Sequence, residues 1–174
     1  MRTDVEIQDT DRAAATELET LYGTAFPDED LVSLVHALIG DGDNVFTFTA
    51  TSNECLLGHA ALSTCAMTGS KLRVALLGPV CVAPEHQRTG IGGALIRHCL
   101  EKGEQIGMSG VCVLGDPAYY ERHGFAPEPT LRTPYPIPEE WGPAWQSVWF
   151  DKSLPPTGTL IVPDPWKTRA LWMP

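Results

Sequence analysis

Basic residues are scarce in this chain: 12 Lys and Arg stand against 22 Asp and Glu, a formal net charge of −10 over 174 residues. Proteins that bind phosphate backbones carry a basic patch, so this balance argues against a nucleic-acid partner; it favours cationic partners, and it equally describes a solvated acidic surface. Cysteine supplies no framework either. The five, Cys55, Cys65, Cys81, Cys99 and Cys112, are odd in number and scattered, with no C-x-x-C pair for zinc or redox chemistry, and read as reduced core thiols. No apolar run approaches the ~18 residues of a membrane span, and the polar opening MRTDVEIQDTDRAAATE lacks a signal-peptide core. A cytoplasmic protein with no membrane partner is expected. Repeats and interdomain linkers are absent too, and the length suits one domain over residues 1–174, large enough for a core without metal or disulfide staples.

What is present reads as alternating helix and strand signals. Asp9-Thr10-Asp11 can cap a helix running to about Gly23, with Ala14, Leu18, Leu21 and Tyr22 as its apolar stripe, and a second helix is expected from Asp28 to Ile39, ending at Gly40. NVFTFTATS alternates as a half-buried strand, with CLLGHAALSTCAM as its hairpin partner and KLRVALLGPVCVA as the next strand. Helical spacing resumes with Ile91, Leu95 and Cys99 in one row and Gly92, Ile96 and Leu100 beside it, closing by Gly103 to Gly107. SGVCVLG is a short buried strand and PAYYERHGF a brief helix ended by Gly124; AWQSVWF and GTLIVP are two further strands joined by a Pro-rich connection. The order describes a mixed α/β domain.

The stretch PEHQRTGIGGALI, Pro84 to Ile96, carries the first chemistry. Glycine lets the main chain approach a ligand, and Ala-Leu-Ile-Arg then favours a helix whose first N–H groups and dipole face an anion. Gly90, Gly92 and Gly93 would give phosphate access to those amides, with Arg88 as a charged contact and Gln87 as a hydrogen-bond donor or helix cap. Spacing excludes two common phosphate motifs. No Lys-Ser or Lys-Thr follows the glycines as a P-loop requires, and G-x-G-x-x-G fails because Leu95 stands where the last glycine belongs.

Gln87-Arg88-Thr89-Gly90-Ile91-Gly92 resembles the [RQ]-x-x-G-x-[GA] signature of the GNAT superfamily of N-acetyltransferases, and VCVAP before it and YYERHGF after it look like that superfamily in order and separation. LGPVCVAPEHQRTGIGGALI followed by VLGDPAYYERHGF is similar to a branch of small bacterial acetyltransferases; the close match covers Leu57 to Phe125. The resemblance implies a GNAT-like α/β fold, a mostly antiparallel mixed sheet flanked by helices, with a splayed central parallel pair, here Val74 to Val82 and Gly110 to Leu114. It implies acetyl-CoA as acetyl donor, its pyrophosphate on the amides of Arg88, Thr89, Gly90, Ile91, Gly92 and Gly93 and its pantetheine arm in the splay. Gly78-Pro79 agrees from the residues themselves, since proline removes a ladder donor and a glycine within a strand suggests a bulge. By offset from the signature, the resemblance assigns Val80 N–H to the thioester carbonyl and Val82 to the pantetheine amides. A main-chain donor of that kind is worth on the order of 3 kcal/mol in other acyl transfers.

The chemistry needs a neutral amine, a carbonyl polariser and a proton for the departing thiolate. The family pattern places Tyr120 as that acid, with Tyr119 as its neighbour and rival. Asp116-Pro117 stands where many relatives carry an asparagine on the pantetheine arm. Some protein-acetylating relatives use a glutamate on the strand before the loop, but the matching position here is Leu76. His59, Glu85 or a water relay remain as base, and His59 is selected because its ordinary pKa lies near neutrality; His86 and His123 read as surface residues. Cys81 lies near the proposed thioester path, but nothing near it in sequence would activate a covalent route. Trp141, Trp145 and Trp149 read as core or as a substrate-site wall, and Asp28-Glu29-Asp30 as a helix cap.

Two classes of function follow. One is an enzyme transferring acetyl to a primary amine, small molecule or protein, in a ternary complex without a covalent intermediate. The other is a non-catalytic acyl-CoA-binding sensor with the same fold. The last two strands and the Trp-rich tail either complete the monomer's own sheet or pair with a second copy as a homodimer.

Overall fold

A computed structural model describes residues 4–153 and 156–173. The chain divides into two compact units, Met1–Leu62 with Pro79–Cys99, and Ser63–Gly78 with Leu100–Pro174. β3 (Cys55–Met67), β4 (Ser70–Val82) and α3 (Ile91–Gln105) contribute residues to each.

In the first unit, β1 (Glu6–Asp9) lies antiparallel to β2 (Val45–Ser52), from Glu6↔Thr51 to Asp9↔Phe48. β2 neighbours β3, and the Ala83 N–H, just past β4, donates to Leu57 O at 2.8 Å. Asp9 therefore ends a strand and does not start a helix: pairing with β2 takes up the backbone groups that a helix would need. The cap is Asp11, whose carboxylate accepts from Ala13 N at 2.9 Å and opens a 3-10 turn, Arg12–Ala14, before α1 (Ala15–Ala25). α2 (Val32–Gly40) likewise begins later than the acidic run suggests. Asp30, not Asp28, accepts from the Ser33 N–H and hydroxyl, and Glu29 N bonds back to Phe26 O in a turn.

The apolar stripe of α1 behaves as its spacing predicts, since Leu18, Leu21 and Tyr22 are buried together with Val35 of α2 and with Cys81 and Ala83. On α3, Ile91, Leu95, Ile96 and Cys99 are buried. Gly58 is where β3 comes close to its neighbours: a Cβ there would lie 2.9 Å from Cys81 O and 3.0 Å from Leu95 Cδ1.

The second unit holds β5 (Gly110–Leu114), α4 (Pro117–Tyr120), β6 (Ala126–Pro127), β7 (Leu131–Arg132), β8 (Trp145–Trp149) and β9 (Gly158–Ile161). Its strand order is β3-β4-β5-β8-β6, with β9 antiparallel to β3 and parallel to β7. β5 and β8 pair antiparallel over the whole length of β5. The parallel pair expected from the sequence is β4 with β5, and its register is Val74↔Gly110, Ala75↔Val111 and Leu76↔Cys112. There the ladder ends. Leu77 follows, then Gly78 at φ +143° and Pro79, which has no N–H to give. The fold is thus mixed α/β and mostly antiparallel.

Trp145, on β8, is buried and donates its indole N–H to Leu131 O at 2.7 Å. Two 3-10 turns at the end of the chain, Asp164–Trp166 and Arg169–Trp172, bring in two more buried indoles; the Trp172 ring lies 6.0 Å from Trp145 and 5.9 Å from Trp166. All five cysteines are free, but Cys55 is exposed beside a tight turn, where Asn53 and Glu54 take φ +49° and +64°; only the other four are core thiols.

Candidate active site

The glycine-rich segment forms an exposed loop leading into α3. A 3-10 turn, Pro84–His86, follows β4; Gln87, Arg88, Thr89 and Gly90 are exposed, Ile91 and Gly92 buried, and Gly93 half-buried. The loop is braced internally: Gln87 Nε2 donates to Val82 O at 3.2 Å and the Thr89 hydroxyl to His86 O. Arg88 adopts φ +62° and Gly90 φ +93°, the left-handed region that favours glycine, so the turn is tightly determined. The first helical rung is Ala94 N–H to Gly90 O at 3.0 Å. The amides of Ile91, Gly92 and Gly93 lie ahead of it with no acceptor one turn earlier in the helix. Nothing lies within 4 Å of the position a Gly90 side chain would take, so the space beside the loop at Gly90 is open. A helix N-terminus with an exposed guanidinium beside it suits a phosphate.

Val80 and Val82 are half-buried and Cys81 between them is buried, its sulfur 4.0 Å from Leu21 O. Burial pushes that thiol up to about 12, so Cys81 is protonated at neutral pH. His59 is fully buried on β3, and its Nδ1 lies 2.7 Å from the Tyr22 hydroxyl, with the two rings edge to face. Its Nε2 has no hydrogen-bond partner, and desolvation lowers its pKa from 6.5 to about 4. His59 is therefore a neutral imidazole at pH 7, closed off from solvent. Glu85 is exposed, His86 is half-buried, and Leu76 is part of the core.

In the second unit, Asp116 caps α4 by accepting from Ala118 N at 3.0 Å, which gives the Asp-Pro pair a structural role: proline occupies the first helical turn, where it has no N–H to lose. Tyr120 is half-buried and packs on Gly115, where a Cβ would sit 2.5 Å from Tyr120 Cε2. Its ring meets Tyr119 at 5.1 Å and Phe125 at 5.7 Å. Tyr119 is half-buried as well, its phenol raised by desolvation, and its ring faces half-buried His123. Gly124 ends the segment at φ +89°. Glu128, unremarked in the sequence, accepts from Leu131 N at 2.6 Å, Thr130 N at 2.7 Å, and both Ser147 Oγ and Trp149 Nε1 at 2.9 Å; it is a structural carboxylate. Among the described residues no cluster of His, Cys, Asp or Glu could hold a metal ion, and no helix is long and apolar enough to cross a membrane.

The model of the acetyltransferase (GNAT) family matches residues 13–125, which include the loop, α3, β5 and α4. The chain belongs to that family. Among curated GNAT proteins it is 32% identical over 171 residues to the uncharacterized N-acetyltransferase YjhQ of Escherichia coli K12, covering 93% of this chain and 94% of YjhQ. It is 30% identical over 112 residues to YhbS of the same strain, also an uncharacterized N-acetyltransferase, covering 64% and 67%. Among solved structures, a GNAT acetyltransferase from Brucella melitensis in complex with acetyl-CoA matches with a TM-score of 0.76 and 26% identity, covering 95% of this chain and 99% of the other. The structure of E. coli YhbS with CoA matches with a TM-score of 0.83 over 97% and 94%; at 23% identity that likeness shows the fold.

Sequence reasoning singled out the glycine loop, both valines and Tyr120 as candidates, and gave no sign of the residues packed around them. Tyr22 sits on a helical stripe with no sign of its bond to a strand 37 residues on. Gly58 and Gly115 mark close packing, legible only as glycines in or beside strands. Trp166 carried no signal beyond its size.

Proposed function

We propose that the protein transfers the acetyl group of acetyl-CoA to a primary amine by direct attack in a ternary complex. The observation that carries this reading is the helix N-terminus at Gly90–Gly93: amides ahead of the first helical rung, open space beside a glycine in the left-handed region, and a neighbouring cation, a donor set suited to a pyrophosphate. The acetyl-CoA complex of the Brucella relative supports the choice of donor. Acetyl-CoA supplies an activated acyl carbon and a thiolate leaving group.

The chain's own residues then have separate duties. The amides from Arg88 to Gly93, with the Arg88 side chain, hold the diphosphate. Val82 takes the amide-bearing arm; its carbonyl already accepts from Gln87, so this residue would serve through its N–H. Val80 offers a main-chain donor to the acyl carbonyl oxygen. Tyr120 protonates the leaving sulfur, and the packing of its ring on Gly115 fixes the direction of its hydroxyl. As the C–N bond forms and the C–S bond breaks, the ammonium proton passes to water, and Tyr120 regains a proton from water in exchange for the one given to the sulfur. His59 can take that proton only through a water reaching its partnerless Nε2, and as a base lowered to about 4 it would be weak. Cys81 stays outside the reaction, since a thiol at about 12 is no nucleophile at pH 7. Four buried free thiols suit a reducing compartment, and the cytoplasm is the proposed location.

Calorimetric titration with acetyl-CoA tests the cradle. Binding by the wild type, retention in Gly90→Asn and loss in Gly90→Asp would show that a carboxylate before the helix displaces the phosphate, because both replacements bear the same left-handed φ. No binding to folded wild type would remove the proposal. Release of CoA in the presence of a panel of primary amines, abolished in Tyr120→Phe with affinity for acetyl-CoA retained, separates the enzyme from a sensor that binds and does not turn over.

A further inference from the structure

β4 loses its partner β5 after Leu76, and two residues further on an indole packs over the strand. Trp166, in the 3-10 turn Asp164–Trp166 near the end of the chain, lies over Gly78: the position of a Cβ on that glycine is 3.6 Å from Trp166 Cη2 and 4.0 Å from Cζ2. The ring is anchored from three sides. Its Nε1 donates to Ser63 Oγ of β3 at 2.9 Å, where Ser63 is itself fully buried. Its plane meets the Trp172 ring at 5.9 Å and 56°, and Trp172 Nε1 donates to the Trp166 backbone carbonyl at 3.1 Å. The anchoring fixes the edge of the six-membered ring over the glycine at which the ladder has already stopped.

We propose that Trp166 sets acyl-chain length: it forms the blind end of the acyl subsite over Gly78, so that acetyl-CoA is accepted and longer acyl-CoA thioesters are excluded. This rests on the reading that an acyl-CoA is the donor and lies along β4. A Cβ on Gly78 would stand at ordinary van der Waals distance from the indole, so the space between them fits one methyl-sized group, such as the methyl of an acetyl, and the anchored ring bounds it. Each added methylene meets the ring, and an overpacked buried site has no cheap way to relax.

The test is calorimetric and needs no acceptor amine. Acetyl-CoA and hexanoyl-CoA are titrated into wild type, Trp166→Leu, Ser63→Ala and Trp172→Phe, and the ratio of the two dissociation constants is read within each protein. Partial unfolding of a variant lowers the active fraction for both ligands alike and cancels from the ratio. Wild type is expected to bind hexanoyl-CoA at least about tenfold more weakly than acetyl-CoA; that preference should collapse towards unity in Trp166→Leu, fall part-way in Ser63→Ala, where the indole loses its anchor but not its bulk, and persist in Trp172→Phe. Equal binding of the two thioesters by wild type, or an unchanged ratio in Trp166→Leu, would overturn the proposal while leaving acetyl-CoA as donor. Failure of wild type to bind either thioester would overturn the donor assignment itself, and this inference with it.

Discussion

Acidification from pH 7 to pH 4 should remove about 3 kcal/mol of stability through one residue, His59. The imidazole is fully buried, makes its one hydrogen bond to Tyr22, and leaves Nε2 without a partner, so a proton added there would put an uncompensated charge in the core. Its pKa accordingly drops from 6.5 in an open chain to about 4 in the fold. At ~1.4 kcal/mol per pKa unit that difference is worth about 3 kcal/mol. The sign follows from proton counting: between pH 6.5 and 4 the unfolded chain binds the proton and the native state does not, so stability falls as pH falls through this window. Above 6.5 both states are neutral and His59 contributes no slope; below 4 both are charged and the full cost has been met. Urea unfolding followed by circular dichroism at half-unit intervals from pH 7.5 to 4, on wild type and His59→Gln, isolates the effect. The glutamine variant should be less stable at pH 7, because it loses packing against Tyr22, yet its pH dependence should be shallower by up to about 1.4 kcal/mol per pH unit between pH 6 and 4.5. Parallel curves for the two proteins would refute the reasoning, since His59 would then be titrating as an exposed residue does.

Three further outcomes are expected. Gly58→Ala should cost about 1–3 kcal/mol in thermal unfolding, because its Cβ would meet Cys81 O at 2.9 Å and backbone cannot swing aside as a side chain can; a cost below about 0.5 kcal/mol, within the ordinary scatter of surface changes, would show that the strands yield freely. Gly115→Ala should lower turnover by about 10²-fold with the acetyl-CoA dissociation constant little changed, because the added methyl must displace the Tyr120 ring at 2.5 Å; unchanged turnover would take Tyr120 out of the proton transfer. Ellman's reagent at pH 7.5 should titrate Cys55 alone in the native protein and the remaining four thiols only after denaturation, since Cys65, Cys81 and Cys99 are held at about 12 by burial and Cys112 is raised well above its ordinary value by burial first and then by the charge of Glu128; rapid reaction of a second thiol would contradict that core.

Local chemistry decided much of this protein before any folding. The helix rows of Ile91, Leu95 and Cys99, the alternation of Val45 to Ser52 and the glycine signature opening α3 are set by periodicities of 3.6 and 2 and by the few residues that tolerate a left-handed turn, all of which operate within a dozen positions. The same reach explains the misplacements. Asp9 reads as a helix start because Asp caps helices, and ends a strand only because β2 offers Glu6–Asp9 an edge; β6 and β7, two residues each, have no periodicity to read and exist through β8 and β9. Which residues face one another was decided by the tertiary structure alone. Nothing within a dozen residues of His59 announces Tyr22, and nothing near Ser63 announces an indole 103 positions later. Those pairings fix whether a histidine is an exposed group or a buried neutral ring, and which strand a tail tryptophan comes to rest on. A pKa depends on desolvation and a subsite on enclosure, and both come from atoms distant in the chain.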